Sequence, residues 1–519
     1  MKYLMSIDAG TGSVRAVIFD INGREISISQ REWTHLPTKG VEGSMEFDFR
    51  KNWPLVCECV KEARAKAGVK ADDILAVTST SMREGIVLYD KDGNELWAVA
   101  NVDARAKEEV RELKEKFPGI EEEFYKESGQ TFALGALPRL LWLKKNRPDI
   151  YEKVSKISMI SDWILFKLTG MLASDPSNAG TTGIFSLEKR EWAPYMAKRV
   201  GLRDDIFPPV LESGEVMGKV SKKASEETLL SRESLVVMGG GDVQLGSVGL
   251  KVVESGDVAV IGGSFWQQVV NIEGHKVPED MSIRVNPHAV SGISQAEGIS
   301  FFTGLIMRWF RDAFCQIEKM EAKKIGVDPY YLLEEMASRV PAGSYGIIPI
   351  FSDEMNYGKW YHASPSFLNL SIDPNICNKS AMFRSLEENA AVVCSVNLDK
   401  ISSFSGVDFD EVVFAGGASK GFLWPRILAD VTGKKVKIPV VKEATALGGA
   451  IAAAVGAGVF KDMKEGAKEF VKWEKKIEPD MNNHELYKGV KERWKKAYKA
   501  QLKLVDEGVT SSMWKAPGL

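Results

Sequence analysis

The stretch Tyr3-Leu4-Met5-Ser6-Ile7-Asp8-Ala9-Gly10-Thr11-Gly12-Ser13-Val14-Arg15-Ala16-Val17-Ile18-Phe19 places two apolar runs on either side of a glycine-rich turn. Tyr3 to Ile7 reads as one strand and Val14 to Phe19 as the next. Asn22-Gly23 is a hairpin-turn signal, and Glu25 to Ser29 makes a third strand. Helical segments then alternate with short apolar strands such as Ile74 to Thr78. The pattern predicts an α/β chain that opens on an antiparallel meander.

The same arrangement returns further along. Leu235 to Met238 runs into Gly239-Gly240-Gly241-Asp242, and Asp257 to Ile261 meets Gly262-Gly263-Ser264. Phe265 to Asn271 continues as a strand, and Glu273-Gly274 supplies a turn. This internal repeat predicts two domains of one kind, residues 1–247 and 248–519, with a cleft between them. A chain of 519 residues is also too long for a single core. The last fifty or so residues, rich in Lys, Glu and Trp, read as amphipathic helices packed on the second domain. The closing Trp514-Lys515-Ala516-Pro517-Gly518-Leu519 is apolar for a free tail and is expected to dock.

Composition narrows the class. A net charge of −3, with 27% charged and 44% hydrophobic residues, offers no general nucleic-acid or anionic-membrane surface. No run approaches the ~20 apolar residues of a membrane span. The opening apolar run is short and ends in an aspartate, so it reads as a buried strand of a cytoplasmic protein rather than a secretory signal. Cys57, Cys59, Cys315, Cys377 and Cys394 form an odd, scattered set and read as buried free thiols.

Five segments carry chemistry. In Asp8-Ala9-Gly10-Thr11-Gly12-Ser13, glycines let backbone amides converge on an anion, and Thr11, Ser13 and Arg15 add donors and charge. Asp8, at a strand end, can hold Mg²⁺ through water. A tight hairpin would need the same glycines. In Gly240-Gly241-Asp242-Val243-Gln244, Asp242 is the candidate general base for an attacking hydroxyl, and equally a helix-start residue. Gly262-Gly263-Ser264 is a second phosphate turn. Gly416-Gly417-Ala418-Ser419-Lys420-Gly421 opens a helix and suits a nucleoside. Arg83-Glu84 and Asn101-Val102-Asp103 supply the charged and amide groups that polyol recognition needs. No Walker A sequence occurs, and Arg15 with a following strand excludes a Rossmann fingerprint.

The ordered set Asp8-x-Gly10-Thr11, Gly241-Asp242, Gly263-Ser264 and Gly416-Gly417-Ala418 resembles the carbohydrate kinases that include glycerol kinase and xylulokinase. The likeness runs over nearly the whole chain, through Ser161-Asp162-Trp163 and Asp175-Pro176-Ser177-Asn178. It implies two actin/ribonuclease-H-like domains, ATP and Mg²⁺. It makes Asp242 the base and places Asp8 and Asp242 at the metal. Arg83, Glu84, Asn101, Asp103, Asp242 and Gln244 would meet the substrate. Thr11, Gly12, Ser13, Arg15, Gly262, Gly263, Ser264, Gly304, Arg308, Gly416, Gly417, Ala418 and Gly421 would meet the nucleotide. The stretches Ser81 to Tyr89, Ala100 to Arg105, Phe265 to Gln268 and Trp514 to Leu519 are similar to the branch acting on the signalling dione 4,5-dihydroxypentane-2,3-dione. That branch also implies a contact with the phosphocarrier protein HPr. Asn101 stands where sugar kinases of the family often carry tryptophan, and Leu134 about where glycerol kinase has tyrosine. These departures argue against an ordinary sugar or glycerol pocket. A kinase for another ketose or polyol, or an actin-like ATP-binding regulatory protein, are the competing expectations.

Overall fold

A computed structural model describes residues 1–518, and among them two large mixed sheets dominate. The first holds six strands: β1 (Tyr3–Ala9), β2 (Ser13–Asp20), β3 (Glu25–Glu32), β4 (Ile74–Ser81), β5 (Val216–Lys219) and β6 (Leu235–Gly241). Its order is β3-β2-β1-β4-β6-β5. The second holds seven: β7 (Val258–Gly262), β8 (Trp266–Glu273), β9 (Arg284–Pro287), β10 (Ile293–Ser300), β11 (Glu411–Ala415), β12 (Lys435–Pro439) and β13 (Trp473–Ile477). Its order is β9-β10-β8-β7-β11-β12-β13.

Strand directions repeat between the two. In the first sheet β1 pairs antiparallel with β2 and β2 with β3, while β1–β4 and β4–β6 are parallel and β5 closes the edge antiparallel. In the second, β7–β8 and β8–β10 are antiparallel, β7–β11 and β11–β12 parallel, and β13 closes antiparallel. Only β9, added outside β10, breaks the match. This is the duplicated α/β arrangement that the repeated glycine turns predict, and the actin/ribonuclease-H-like fold that the family resemblance implies.

Two helices cross between the sheets, Asp242–Gly249 and Ala444–Gly456. The later helix packs its alanines against Leu4, Val17, Ala76 and Val237 of the first sheet. The earlier helix turns Val243 toward Ala259, Val269 and Val413 of the second. The first sheet is thus covered by a helix from the second half of the chain, while Leu245 and Val248 of the earlier helix join the first sheet's core and Val243 reaches the second's. The helices meet through glycine: a Cβ on Gly448 would lie 1.8 Å from the Leu245 carbonyl oxygen, and one on Gly249 1.9 Å from that of Ala444.

The C-terminal region forms one long helix, Met481–Asp506, preceded by a short one over Met463–Phe470. The long helix buries Tyr487, Trp494 and Tyr498, and Trp494 donates to the Pro349 carbonyl. The tail beyond it docks across both halves of the chain, Trp514 against Phe301 and Trp360 of the second and Gly518 against Val110 of the first, while Leu519 lies outside the described residues. All five cysteines are free, and only Cys377 is not buried.

Candidate active site

Register brings the polar turns to one sheet edge. Asp8 lies opposite Thr80, and both Ala9 and Gly241 lie opposite Ser81. The carboxyl ends of three parallel strands therefore release Asp8, Met82-Arg83-Glu84 and Asp242 at the same level, where such sheets bind ligands. Glycine makes β6 fit there: a Cβ on Gly239 would sit 1.7 Å from the Ser79 carbonyl oxygen. The turn before Asp242 is held from behind. Gly241 N–H donates to Ser177 Oγ (3.0 Å), and Ser177 Oγ donates to buried Asp175.

Asp242 begins its helix and points into the cleft, its side chain about a third exposed (35%). Its Oδ1 accepts from Val243 N–H (2.8 Å) and lies 3.7 Å from Arg83 Nε. Burial of the carboxyl between cleft walls pushes its pKa up to about 7. Arg83 opposes the rise, and Asp8 and Glu84 add to it. A carboxyl near neutrality, beside a cavity, suits a general base. Asp8 is buried and also held above the ordinary carboxylate range, although Arg15 lies 3.4 Å away.

The cleft cavity beside Asp242 has a volume of about 860 Å³. Arg83, Glu84, Asn101 and Thr11 line one side, and Asn101 Nδ2 donates to Thr11 Oγ1 (3.0 Å). Glu84 adopts a left-handed backbone (φ 60°), which glycine would take more readily. A non-glycine residue in that conformation persists where its surroundings hold it. Here Thr181 Oγ1 accepts from its N–H and Arg139 donates to its carbonyl. The side chains are pre-set by the opposite half of the chain. Arg83 Nη1 donates to both oxygens of Glu297 on β10 (2.6 and 2.8 Å), and Arg284 on β9 pairs with Glu84. Burial pushes the Glu84 carboxyl up, but Arg284 and Arg83 outweigh it and hold it low.

Two expected substrate contacts do not reach this cavity. Asp103 is 1% exposed and spends its carboxylate on Met45 N–H (2.6 Å) and Arg105 Nε (2.8 Å). Its role is to shape the Asn101 loop, whose carbonyls Arg139 also holds. Gln244 is fully buried and donates to Glu297 Oε1 (3.0 Å), behind the Arg83 contact.

A second cavity of about 850 Å³ is lined by Gly262, Gly263, Ser264, Gly304, Arg308, Gly417, Ala418 and Gly421. Ser264 lines both cavities, so the second glycine turn stands at their junction. Close approach explains several glycines: a Cβ on Gly304 would lie 2.2 Å from the Gly263 carbonyl oxygen, and one on Gly421 1.9 Å from Glu334 Oε1. Gly416, in the left-handed region (φ 89°), closes the turn against Gly262 without lining the cavity. Gly12 and Ser13 line neither cavity, and Arg15 is clamped between Asp8 and Glu443 at the start of the Ala444–Gly456 helix.

Sequence reasoning missed Glu297, Arg284, Tyr357, Glu334 and Glu387. Glu297, Arg284, Glu334 and Glu387 are single polar residues inside strands or helices, Tyr357 lies in a turn, and none belongs to a motif that marks it. Glu334 accepts from Phe422 N–H (2.7 Å) and Leu423 N–H (3.1 Å), fixing the loop after Gly421. Glu387 lies in the floor of the second cavity, and burial, with Glu334 near, raises its pKa well above the ordinary range.

Comparison with known proteins places this geometry. The description "FGGY family of carbohydrate kinases, N-terminal domain" matches residues 3–249, and the corresponding C-terminal domain matches residues 276–457. The chain belongs to the FGGY family of carbohydrate kinases. Curated FGGY relatives named autoinducer-2 kinase match it end to end. The protein of Enterobacter sp. (strain 638) is 58% identical over 100% of this chain and 98% of its own length. That of Escherichia coli (strain K12) is 57% identical and that of Salmonella typhimurium 56%, at the same coverage. Among solved structures, a xylulose kinase from Lactobacillus acidophilus superposes with a TM-score of 0.85 at 19% identity, covering 96% of this chain and 98% of the other. Plasmodium falciparum glycerol kinase with ADP superposes at 0.82 and 19% identity, covering 97% and 98%. These two likenesses show the shared FGGY fold. The chain is thus an ATP-dependent kinase of this family. No helix among the described residues is long and apolar enough to cross a membrane.

Proposed function

We propose that the chain transfers the γ-phosphoryl group of ATP to the terminal hydroxyl of open-chain 4,5-dihydroxypentane-2,3-dione, the autoinducer-2 precursor, in the cytoplasm. The observation that carries this reading is the 56–58% identity, over the whole chain, to proteins named autoinducer-2 kinase. The site supports it. ATP would occupy the cavity behind Gly262-Gly263-Ser264 and Gly417-Ala418, with its terminal phosphate at Ser264. The dione would lie against Arg83, Glu84 and Asn101, its terminal hydroxyl toward Asp242.

Asp242 takes the hydroxyl proton as the oxygen bonds to the γ-phosphorus and the bond to ADP breaks. Backbone amides of the two glycine turns meet the charge on the transferred group. Asp8 lies close enough to Asp242 to raise its cost of ionisation, and no cage of three or more metal-ligating side chains exists among the described residues. A pair of carboxylates suits Mg²⁺, which keeps its waters and shares phosphate oxygens. When bound with ATP, Mg²⁺ would neutralise phosphate charge. The Arg83–Glu297 and Arg284–Glu84 pairs hold the substrate side in place before the acceptor arrives, so positioning contributes much of the rate.

A coupled ADP-release assay over a panel of dione, xylulose and glycerol tests the reading. The dione should give a kcat/KM at least tenfold above the others. Preference for a ketose or polyol would assign a different acceptor, and ADP release independent of any acceptor would point to an actin-like ATPase. The reading includes binding of HPr, which co-elution of the two purified proteins would test.

A further inference from the structure

The mechanism leaves one part of the cleft unexplained. The lining of the acceptor cavity includes an aromatic part as well as the charged groups already described. The aromatic part includes the tail of the chain. Trp514 stacks on Phe301 with ring centres 5.0 Å apart and planes 23° apart, and it meets Trp360 edge-on at 5.3 Å. Phe301, Trp360 and Trp514 all line the cavity that Arg83 and Glu84 also line.

The tail is held by main-chain bonds and not by its side chains alone. His362 N–H donates to the Trp514 carbonyl (3.0 Å), and Ala516 N–H donates to the Trp360 carbonyl (2.9 Å). Ser512 Oγ donates to the His362 carbonyl (2.8 Å). Beneath it, His362 Nδ1 lies 2.6 Å from Asp353 Oδ1, and both residues are buried. The tail then crosses to the other half of the chain. Ala516 is 5% exposed in a cluster with Tyr125, and a Cβ on Gly518 would meet Val110 Cγ1 at 2.5 Å. A segment more than 250 residues removed in sequence from Val110 therefore closes the cavity's outer wall against the Lys107–Lys116 helix.

We propose that this C-terminal strap is a specificity element of the acceptor site: Trp514, backed by Phe301 and Trp360, forms an apolar wall that accepts a short alkyl end, while Arg83, Glu84 and Asn101 take the hydroxylated end. The inference rests on the proposed acceptor site and deepens it. An indole face and two further rings offer no partner for hydroxyls, so a fully hydroxylated ketose seated there leaves polar groups without hydrogen bonds. An acceptor that ends in a methyl ketone buries its methyl group on the rings instead.

The test compares Trp514→Ala, Trp514→Phe and a chain ending at Ser512 with the unchanged protein. Each is assayed with the dione and with xylulose, and thermal unfolding serves as the control for folding. Trp514→Ala should raise the KM for the dione at least tenfold and leave the KM for ATP within twofold. It should also shift the dione-to-xylulose preference toward xylulose by about tenfold or more. Trp514→Phe should recover most of both, and the truncated chain should behave as Trp514→Ala or worse. An unchanged acceptor KM and preference, or a fall in kcat alone, would overturn the assignment. If the unchanged protein does not use the dione, the reading of its activity fails on its own. The strap is then judged by the KM of whichever acceptor the panel identifies, which Trp514→Ala should still raise.

Discussion

At the scale of single residues, Asp242 concentrates the chemistry. Asp242→Asn keeps the side chain's shape but removes its capacity to accept a proton. Turnover should fall by about 10²–10⁴-fold, the usual worth of a general base, with ATP affinity by calorimetry nearly unchanged. In the native protein kcat/KM should drop about tenfold per pH unit below an apparent pKa near 7, where the carboxyl is protonated. Stability should run the other way. A carboxyl whose folded pKa lies above its unfolded value of 3.8 binds its proton more tightly in the native state. Its contribution is therefore lost as pH rises from about 4 to about 7. Asp242→Asn should raise the unfolding temperature relative to the unchanged protein more at pH 8 than at pH 5.

At the scale of elements, the crossing of the Asp242–Gly249 and Ala444–Gly456 helices ties catalysis to packing. Gly448 sets their separation, because a methyl there would meet the Leu245 carbonyl at 1.8 Å. Gly448→Ala should destabilise the fold by about 1–3 kcal/mol, the usual range for overpacking, as read from urea unfolding. Asp242 is the first residue of the displaced helix. The loss in kcat should therefore exceed any change in the KM for ATP.

At the scale of the whole molecule, the covering of the first sheet by a helix from the second half makes the two halves interdependent. The first sheet's face carrying Leu4, Val17, Ala76 and Val237 is covered by a helix that starts at Ala444. A fragment of residues 1–249 would expose that apolar face, and large exposed apolar patches drive association. Expressed alone, it should aggregate or lack cooperative unfolding by circular dichroism. The full chain should unfold in a single calorimetric transition.

The meander, the glycine turns and their duplication could be read from the sequence because each is local. A strand shows as an apolar run, and a phosphate turn as glycines at its end. Asp8, Arg83, Glu84, Asp242, Ser264 and Gly417 could be picked out because they stand beside such turns. What the sequence could not show is which polar side chains spend their hydrogen bonds inside the protein. Asp103 and Gln244 look like substrate contacts, yet each is consumed by partners up to 58 residues away in sequence. Glu297 and Arg284 sit in unremarked stretches and reach the cleft only through a sheet edge; the closing tail was legible as a docking segment, but not that it brings Trp514 to the cleft. Local pattern thus determined the α/β class, the paired turns and the candidate base. Tertiary packing alone decided the walls of the acceptor cavity, because those walls are built from contacts between residues hundreds of positions apart.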